Sequence, residues 1–239
     1  MNKVSKLYLM QHSNCIVCNE PLIYKRKSIV RECYYCGIQN KTDVVCANDH
    51  YVCNECSRRD MYAIIETECL SYEGIKPFEL AERILSSNKL QMHGAEHHLI
   101  VPAVMLTVYL NHQKRKSEKK ELIEVARNRA LRLHDGICAS HGTCAAAMGV
   151  GMFFSIILDV NELQTHNYAY INMASANVLL NVARYGGPRC CKRSTFLGIL
   201  QIRNLLADDY NIILPIPDQV KCNYVALNKE CTKENCLFY

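Results

Sequence analysis

Four pairs of metal-ligand residues follow one another within 42 residues near the start of the chain. Three pairs have the spacing Cys-x2-Cys and one has the spacing Cys-x3-His. The ligands are Cys15, Cys18, Cys33, Cys36, Cys46, His50, Cys53 and Cys56. A tight turn brings both members of such a pair to one ion, and a second pair completes the tetrahedron that structural zinc prefers. The four pairs therefore predict two closed zinc sites.

The spacing leaves the pairing order open. The first two pairs could share one ion and the last two the other, or the pairs could cross as in cross-brace zinc domains. The histidine favours zinc over iron. A fully ligated zinc has no open position for a substrate, so we expect this module to be a scaffold that replaces a hydrophobic core.

The fifteen cysteines of the chain also bear on its compartment. The segment Met1–Met10 lacks the apolar core of a signal peptide, and no apolar run reaches the length of a membrane-spanning helix. We therefore expect a soluble cytoplasmic protein with no membrane partner. A reducing cytosol keeps thiols free, so metal binding or redox chemistry is predicted in place of a disulfide framework.

The formal net charge of +5 does not by itself indicate a nucleic-acid partner. Residues 1–60 contain nine Lys or Arg and six Asp or Glu. Seven thiolates on two zinc ions would bring the module close to neutral. Nucleic acid is therefore not an expected partner. A protein partner or a methyltransferase remains open, and the sequence does not fix an oligomeric state.

Cysteine usage and hydrophobic period divide the chain into residues 1–59, 60–215 and 216–239. The middle region has helical periodicity. The predicted helices cover 77–86, 95–112 with a kink or break at Pro102, 114–133, 145–158, 170–183 and 194–206. Strand signals occur in the first region and at 212–214. The predicted fold class is mainly α: a helical bundle preceded by a small zinc-ribbon or cross-brace-like module and followed by a cysteine-bearing tail packed on the helices.

The segment His93-Gly-Ala-Glu96-His97-His98 contains the H-x-x-E-H pattern of inverted zinc peptidases. On a helix, His93 and His97 would lie one turn apart and could share a metal, with Glu96 as a base. A polar helix start, or a part in some other metal or substrate site, is the alternative. Cys69 lies on a predicted helix outside the ligand pairs, and we expect it to be a small buried side chain.

A second group of cysteines begins with Cys138 and Cys144 and continues with the adjacent Cys190 and Cys191. The Gly-Gly-Pro-Arg turn before the adjacent pair would place both thiols in the first turn of a helix. There the helix dipole and the next two residues, Lys-Arg, would lower their pKa. Inert buried cysteines are the alternative reading. The predicted catalytic residues are Cys190, Cys191, Glu96 and His97.

The tail contains Cys222, Cys231 and Cys236 with little apolar sequence between them. Three cysteines plus one donor from elsewhere would suit a [4Fe–4S] cluster, and a further zinc is the rival. Further cofactor ligands are predicted at Cys138 and Cys144, and a further metal ligand at His93.

Three strings carry a resemblance to a known family: His93-Gly-Ala-Glu-His-His, Gly142-Thr-Cys-Ala-Ala-Ala-Met-Gly149 and Gly186-Gly-Pro-Arg-Cys-Cys-Lys-Arg193. Together with the cysteine tail they resemble an uncharacterised domain family of anaerobic bacteria and archaea, sometimes attached to methyltransferases. The resemblance covers about residues 13 to 239 and implies a setting more than a reaction. The region from Cys138 to Gly149 is also similar to C-GCAxxG-C-C proteins, although Thr143 replaces their glycine.

The function predicted from these features is that of an iron–sulfur or thiolate-metal protein in anaerobic redox, sulfur-transfer or methyl-transfer metabolism. A zinc-scaffolded interaction or regulatory module without catalysis is the alternative. A zinc hydrolase using His93, Glu96 and His97 is the third hypothesis.

Overall fold

The computed structural model of the chain describes residues 15, 17–18, 20–87 and 90–239. The chain forms two compact units, residues 1–59 and residues 60–239. Most of the described residues are helical, as predicted. The helices, in chain order, are α1 (Asn54–Ser71), α2 (Pro77–Leu85), α3 (His97–His112), α4 (Lys119–Leu131), α5 (Ile137–Ser140), α6 (Ala145–Ile157), α7 (Thr165–Tyr185) and α8 (Cys191–Tyr210). Single 3-10 turns occur at Lys116–Glu118, Val225–Leu227 and Lys233–Asn235.

The first unit contains an antiparallel hairpin of β1 (Leu22–Glu32) and β2 (Gln39–Cys46). The first residue of β1 pairs with the last of β2, and the strand register shifts between Tyr24 and Ile29. Val45 is the only buried aliphatic side chain among the described residues of this unit. So small a core cannot stabilise the hairpin by apolar burial alone.

Helix α3 is the centre of the second unit and packs against α2, α4, α6 and α8. It is apolar on all sides, as expected for a helix surrounded by others. Two glycines let neighbouring helices approach it closely. A Cβ on Gly149 of α6 would lie 3.0 Å from Pro102 Cδ, and one on Gly198 of α8 would lie 3.1 Å from Val101 Cγ2.

Two of the sequence predictions about backbone structure are wrong. Helix α3 continues through Pro102, so of the predicted kink or break the break does not occur; the buried packing of α3 outweighs the one backbone hydrogen bond that proline forgoes. The segment 212–214 has no regular secondary structure and forms no strand. Its apolar pattern is explained by Ile212 and Leu214, whose side chains fill the core.

The core of the second unit includes Cys69 and residues of the tail. Cys69 is fully buried in the core, as expected for a small apolar side chain. The tail contributes Tyr224 and Phe238 to that core, and the Phe238 ring packs edge-on against Phe196 of α8 at 5.3 Å. Each helix of the described residues is too short or too polar to be a membrane span.

Candidate metal sites

The eight predicted ligands of the first unit form two groups of four. These groups are Cys15, Cys18, Cys46 and His50, and Cys33, Cys36, Cys53 and Cys56. The first and third pairs thus share one site, and the second and fourth pairs share the other. The hairpin accounts for this crossed order. The first pair precedes β1 and the third ends β2, at the same end of the hairpin, whereas the second pair lies in the turn at the opposite end.

The spacing of the donor atoms matches tetrahedral zinc. In each group the four donors lie within 4.8 Å of one another. Cys18 Sγ is 3.8 Å from Cys46 Sγ, and Cys36 Sγ is 3.7 Å from Cys53 Sγ. Zn–S bonds of about 2.3 Å give a tetrahedron with sulfur–sulfur edges of about 3.8 Å. His50 presents Nδ1 to its group, 3.3 Å from Cys18 Sγ. Both groups therefore fit a metal ion of this type.

The electrostatics of the second group also call for a cation. Burial opposes ionisation of Cys33, but backbone N–H donors, with Cys53 the foremost, outweigh it and lower the pKa of the thiol to about 6. Burial and the neighbouring thiols raise the pKa of Cys56 to about 12. Thiols packed this closely cannot all ionise unless a positive charge joins them. A divalent cation would supply that charge.

The structure does not place His93 and His97 on one helix. Helix α3 begins at His97, and His93 lies in the preceding loop. Gly94, between them, is closely packed, because a Cβ there would lie 2.1 Å from Glu96 Oε2. The predicted one-turn spacing of the two imidazoles is therefore wrong.

Both imidazoles have partners within the protein. His93 Nε2 is 3.3 Å from Asn228 Oδ1, and the Cys191 N–H donates to His93 Nδ1. His97 Nδ1 is 3.2 Å from the Gly94 carbonyl oxygen, and Lys192 Nζ is 3.1 Å from His97 Nε2. Burial, reinforced by Lys192, holds the pKa of His97 well below its usual range. His97 is thus a neutral imidazole.

Glu96 is buried beside this histidine. Its carboxylate accepts a hydrogen bond from the backbone N–H of Gln91 at 3.1 Å. Burial raises the pKa of Glu96, and the nearby Lys192 ammonium opposes the rise. Glu96, His97 and Lys192 form one buried polar cluster, each almost wholly shielded from solvent.

Cys190 and Cys191 lie at the start of α8, where the sequence places them. Cys190 is the N-cap residue, and its Sγ accepts the N–H of Arg193 at 3.5 Å. The expected lowering of their pKa is wrong, because burial outweighs the helix start and the cations. It raises the pKa of Cys190, and that of Cys191 to about 12.

The two adjacent thiols have different neighbours. Cys191 lies near Arg189 and Cys144, both of which act on its charge. Arg189 Nη1 is 3.8 Å from Cys138 Sγ. Arg189 therefore lies near Cys138 and Cys191, and Cys144 lies near Cys191. Cys190 has different neighbours.

Cys190 lines a cavity together with Cys222, Cys231 and Cys236, so the three tail cysteines and one helical cysteine converge. The free space among the lining side chains is about 20 Å³. Three of the four sulfurs accept backbone N–H donors: Arg193 on Cys190 at 3.5 Å, Tyr224 on Cys222 at 3.4 Å and Lys233 on Cys231 at 3.4 Å.

The four cavity sulfurs do not form a compact group like the two groups of donor atoms in the first unit. Among the described residues, the two groups of the first unit are the only sets of three or more donors within 4.8 Å. No three of the four cavity sulfurs are therefore that close together. Asn228 links this cavity to the loop before α3, because its Nδ2 is 3.8 Å from Cys190 Sγ and its Oδ1 faces His93.

Two buried cations lie beside this cavity. Arg193 lines it and donates to the carbonyl oxygens of Gly186 and Pro188 at 2.6 and 3.5 Å. Arg193 Nε has no hydrogen-bond partner among the described residues. Lys192 Nζ bonds to the Gln91 carbonyl oxygen at 3.2 Å and lies over the Tyr224 ring. Buried cations are costly unless anionic charge is near them.

The chain thus combines a two-site cysteine and histidine module with a cysteine-lined helical unit. Residues 65–239 match the model of DUF5714, a family of unknown function, and the chain belongs to this family. The match includes every cysteine of the helical unit and the tail. The first unit, with its eight ligands, precedes the match. No curated protein and no solved structure matches the chain.

The sequence analysis did not group Cys190 with the three tail cysteines, although the structure places them at one cavity. We predicted catalysis for Cys190 and an unspecified fourth donor for the tail. One signal was available in the sequence: neighbouring residues at the start of a helix point about 100° apart, so Cys190 and Cys191 could not both face the same site. Asn228 and the inward orientation of Arg193 had no signal in the sequence.

Proposed function

We propose that this chain is a metalloprotein whose helical unit binds an iron–sulfur cluster through Cys190, Cys222, Cys231 and Cys236, with two zinc ions in the first unit as a scaffold. The observation that supports this best is the convergence of four thiols, distant in sequence, on one cavity. Four cysteine thiolates are the usual ligands of a [4Fe–4S] cluster.

The spacing of the sulfurs favours a cluster over a fourfold zinc site. A zinc ion draws four sulfurs to about 3.8 Å from one another, whereas a cluster holds its cysteines apart on separate iron atoms. No three of the cavity sulfurs lie within 4.8 Å of one another, so they do not have the compact arrangement that one zinc ion requires. The cavity volume of about 20 Å³ has room for about one water molecule, so binding a cluster would need outward movement of the tail. The described regular structure of the tail consists of the two short 3-10 turns Val225–Leu227 and Lys233–Asn235.

Charge also supports an anionic cofactor at this position. A cluster or a zinc ion with four thiolates is an anion, and Arg193 and Lys192 would neutralise it. The N–H donors on three of the sulfurs would stabilise thiolates and tune the cluster potential. When bound, a cluster whose four irons are all ligated by cysteine would supply electron transfer.

The reaction is proposed to belong to anaerobic redox, sulfur-transfer or methyl-transfer metabolism, in the cytoplasm. The family resemblance suggests that setting. A further support is a second group of thiols: Cys138 and Cys191 lie beside Arg189, and Cys144 lies near Cys191. These thiols, with His93, are the proposed groups for substrate or sulfur handling. Glu96 and His97 are enclosed behind them as acid–base or positioning groups.

The test is anaerobic purification of the full chain, followed by iron, acid-labile sulfide and zinc determination. We expect about four iron and four sulfide with two zinc per chain. Replacing Cys231 by Ser should remove most iron and sulfide and leave zinc unchanged. The matched control is Cys69→Ala, a core cysteine, which should leave all three unchanged. A colourless protein with zinc alone would overturn the cluster.

A second candidate function is a zinc-scaffolded interaction module without catalysis. Its support is the exposure of Tyr34, Tyr35 and Ile38 on the turn between Cys33 and Gln39, each more than half exposed. This candidate predicts no change in bound metal when Cys190 becomes Ser. The leading proposal predicts loss of the cluster in the same variant, so one measurement separates them.

A further inference from the structure

Helix α7 has an exposed face that differs from ordinary helix surfaces. Only Ala174 and Val178 are fully buried in its 21 residues. The opposite side is exposed to solvent along the whole helix, and Met173 and Leu180 are 63% and 57% exposed. We call this side the outer face of α7; it consists of Thr165, Ala169, Asn172, Met173, Ala176, Leu180 and Ala183.

The outer face has no charge. Residues 163–183 contain no Asp, Glu, Lys or Arg, although 21% of the residues in the whole chain are charged. A 21-residue stretch of average composition would hold about four. The solvent-facing side of a surface helix is normally charged or polar. An apolar, uncharged face of this length indicates contact with another macromolecule.

The geometry of the face suits a second helix. Ala169, Ala176 and Ala183 repeat every seven residues and lie along the centre of the face. A seven-residue repeat keeps one side of a helix against its neighbour, and small residues on the seam let the two backbones approach closely. Met173 and Leu180 flank this seam and would pack beside it. The helix is about 31 Å long, which provides an extended contact.

The charges at the two ends of α7 select the partner and its direction. Glu162 precedes the helix, and Arg184 lies in its last turn. An antiparallel second copy would place the acidic end of one helix beside the basic end of the other and would also oppose the helix dipoles. A parallel copy would bring like charges together. A membrane is disfavoured, because amphipathic helices that bind lipid surfaces are rich in Lys and Arg.

We propose that the outer face of α7 binds the same face of a second copy of this chain, antiparallel, about a twofold axis beside Ala176. Such an interface is self-complementary, as twofold homodimers require. Ala169 then faces Ala183 of the second copy.

The test is the molar mass of the full chain by size-exclusion chromatography with light scattering, over a micromolar dilution series. We expect a dimer. Ala176→Glu brings two carboxylates together at the axis, so the dissociation constant should rise by at least about a hundredfold, equivalent to about 3 kcal/mol. The matched control Ala63→Glu, on the exposed side of α1, should leave the dimer unchanged. Far-UV circular dichroism checks that each variant is folded.

Two double variants test the direction. Ala169→Glu with Ala183→Lys should retain the dimer, because the introduced charges attract across an antiparallel pair. Ala169→Glu with Ala183→Glu should break it. A monomeric wild-type protein, or a dimer unaffected by Ala176→Glu, would overturn the proposal. So would binding to phosphatidylserine vesicles that Ala176→Glu abolishes in a monomeric chain.

Discussion

The first unit and the helical unit bring their cysteines together in different ways. In the first unit, ligands in short pairs approach within 4.8 Å in two groups of four. In the helical unit, Cys190 and the three tail cysteines surround a cavity without three of them coming so close. The first arrangement depends on tight turns and has almost no apolar core. The second depends on a hydrophobic core around α3, on which the start of α8 and the tail are packed.

This difference has a consequence for stability. A module whose described residues include one buried aliphatic side chain needs a bound metal ion to be stable, because structural zinc binding is coupled to folding. The helical unit has a continuous core that includes residues of the tail. Removing metal should therefore unfold the first unit and leave the second largely intact.

The largest expected effect comes from a ligand of the first unit. Cys36→Ser should reduce bound zinc from two ions to one, because a serine hydroxyl is a poor zinc ligand. The lost binding energy is about 10 kcal/mol or more, which exceeds any stability the hairpin has alone. Native mass spectrometry gives the zinc count, and limited proteolysis should show cleavage confined to the first unit. Two retained zinc ions would contradict the assignment of this site.

A smaller effect is expected from the packing around α3. Gly149→Val should destabilise the helical unit by about 1–3 kcal/mol, since the added atoms meet Pro102 and Val101. Zinc content should not change. Urea unfolding followed by circular dichroism measures the loss, with Ala63→Val as an exposed helical control. If the two variants were equally stable, the close approach of α6 to α3 would be wrong.

A pH effect of up to about 1.4 kcal/mol per pH unit is expected from His97. Its pKa is lowered by burial, so the folded chain keeps it neutral while the unfolded chain protonates it below about pH 6.5. The unfolded state then binds more protons, and stability falls as the pH drops below that value. His97→Gln should flatten this dependence relative to wild type in urea unfolding between neutral and mildly acidic pH. Equal slopes would contradict a neutral buried His97.

Much of this architecture could be predicted from local sequence. The spacing of the Cys pairs predicts the two groups of four metal-ligand residues, and helical periodicity predicts the helices around α3. The crossed pairing could not be predicted, because it depends on the strand register that places Cys46 beside Leu22. The rise in the pKa of Cys191 was missed for a related reason: the helix start and its cations are local, whereas the burial that outweighs them is tertiary.

The most direct test of the difference between the two groups is X-ray absorption at the zinc and iron edges of one anaerobically purified sample. The zinc spectrum should fit four ligands per ion, mostly sulfur at about 2.3 Å, with a nitrogen contribution from His50 in one of the two sites. The iron spectrum should contain an iron–iron scattering shell from a cluster bound at Cys190 and the tail. A sample with zinc alone, or iron without an iron–iron shell, would contradict the account.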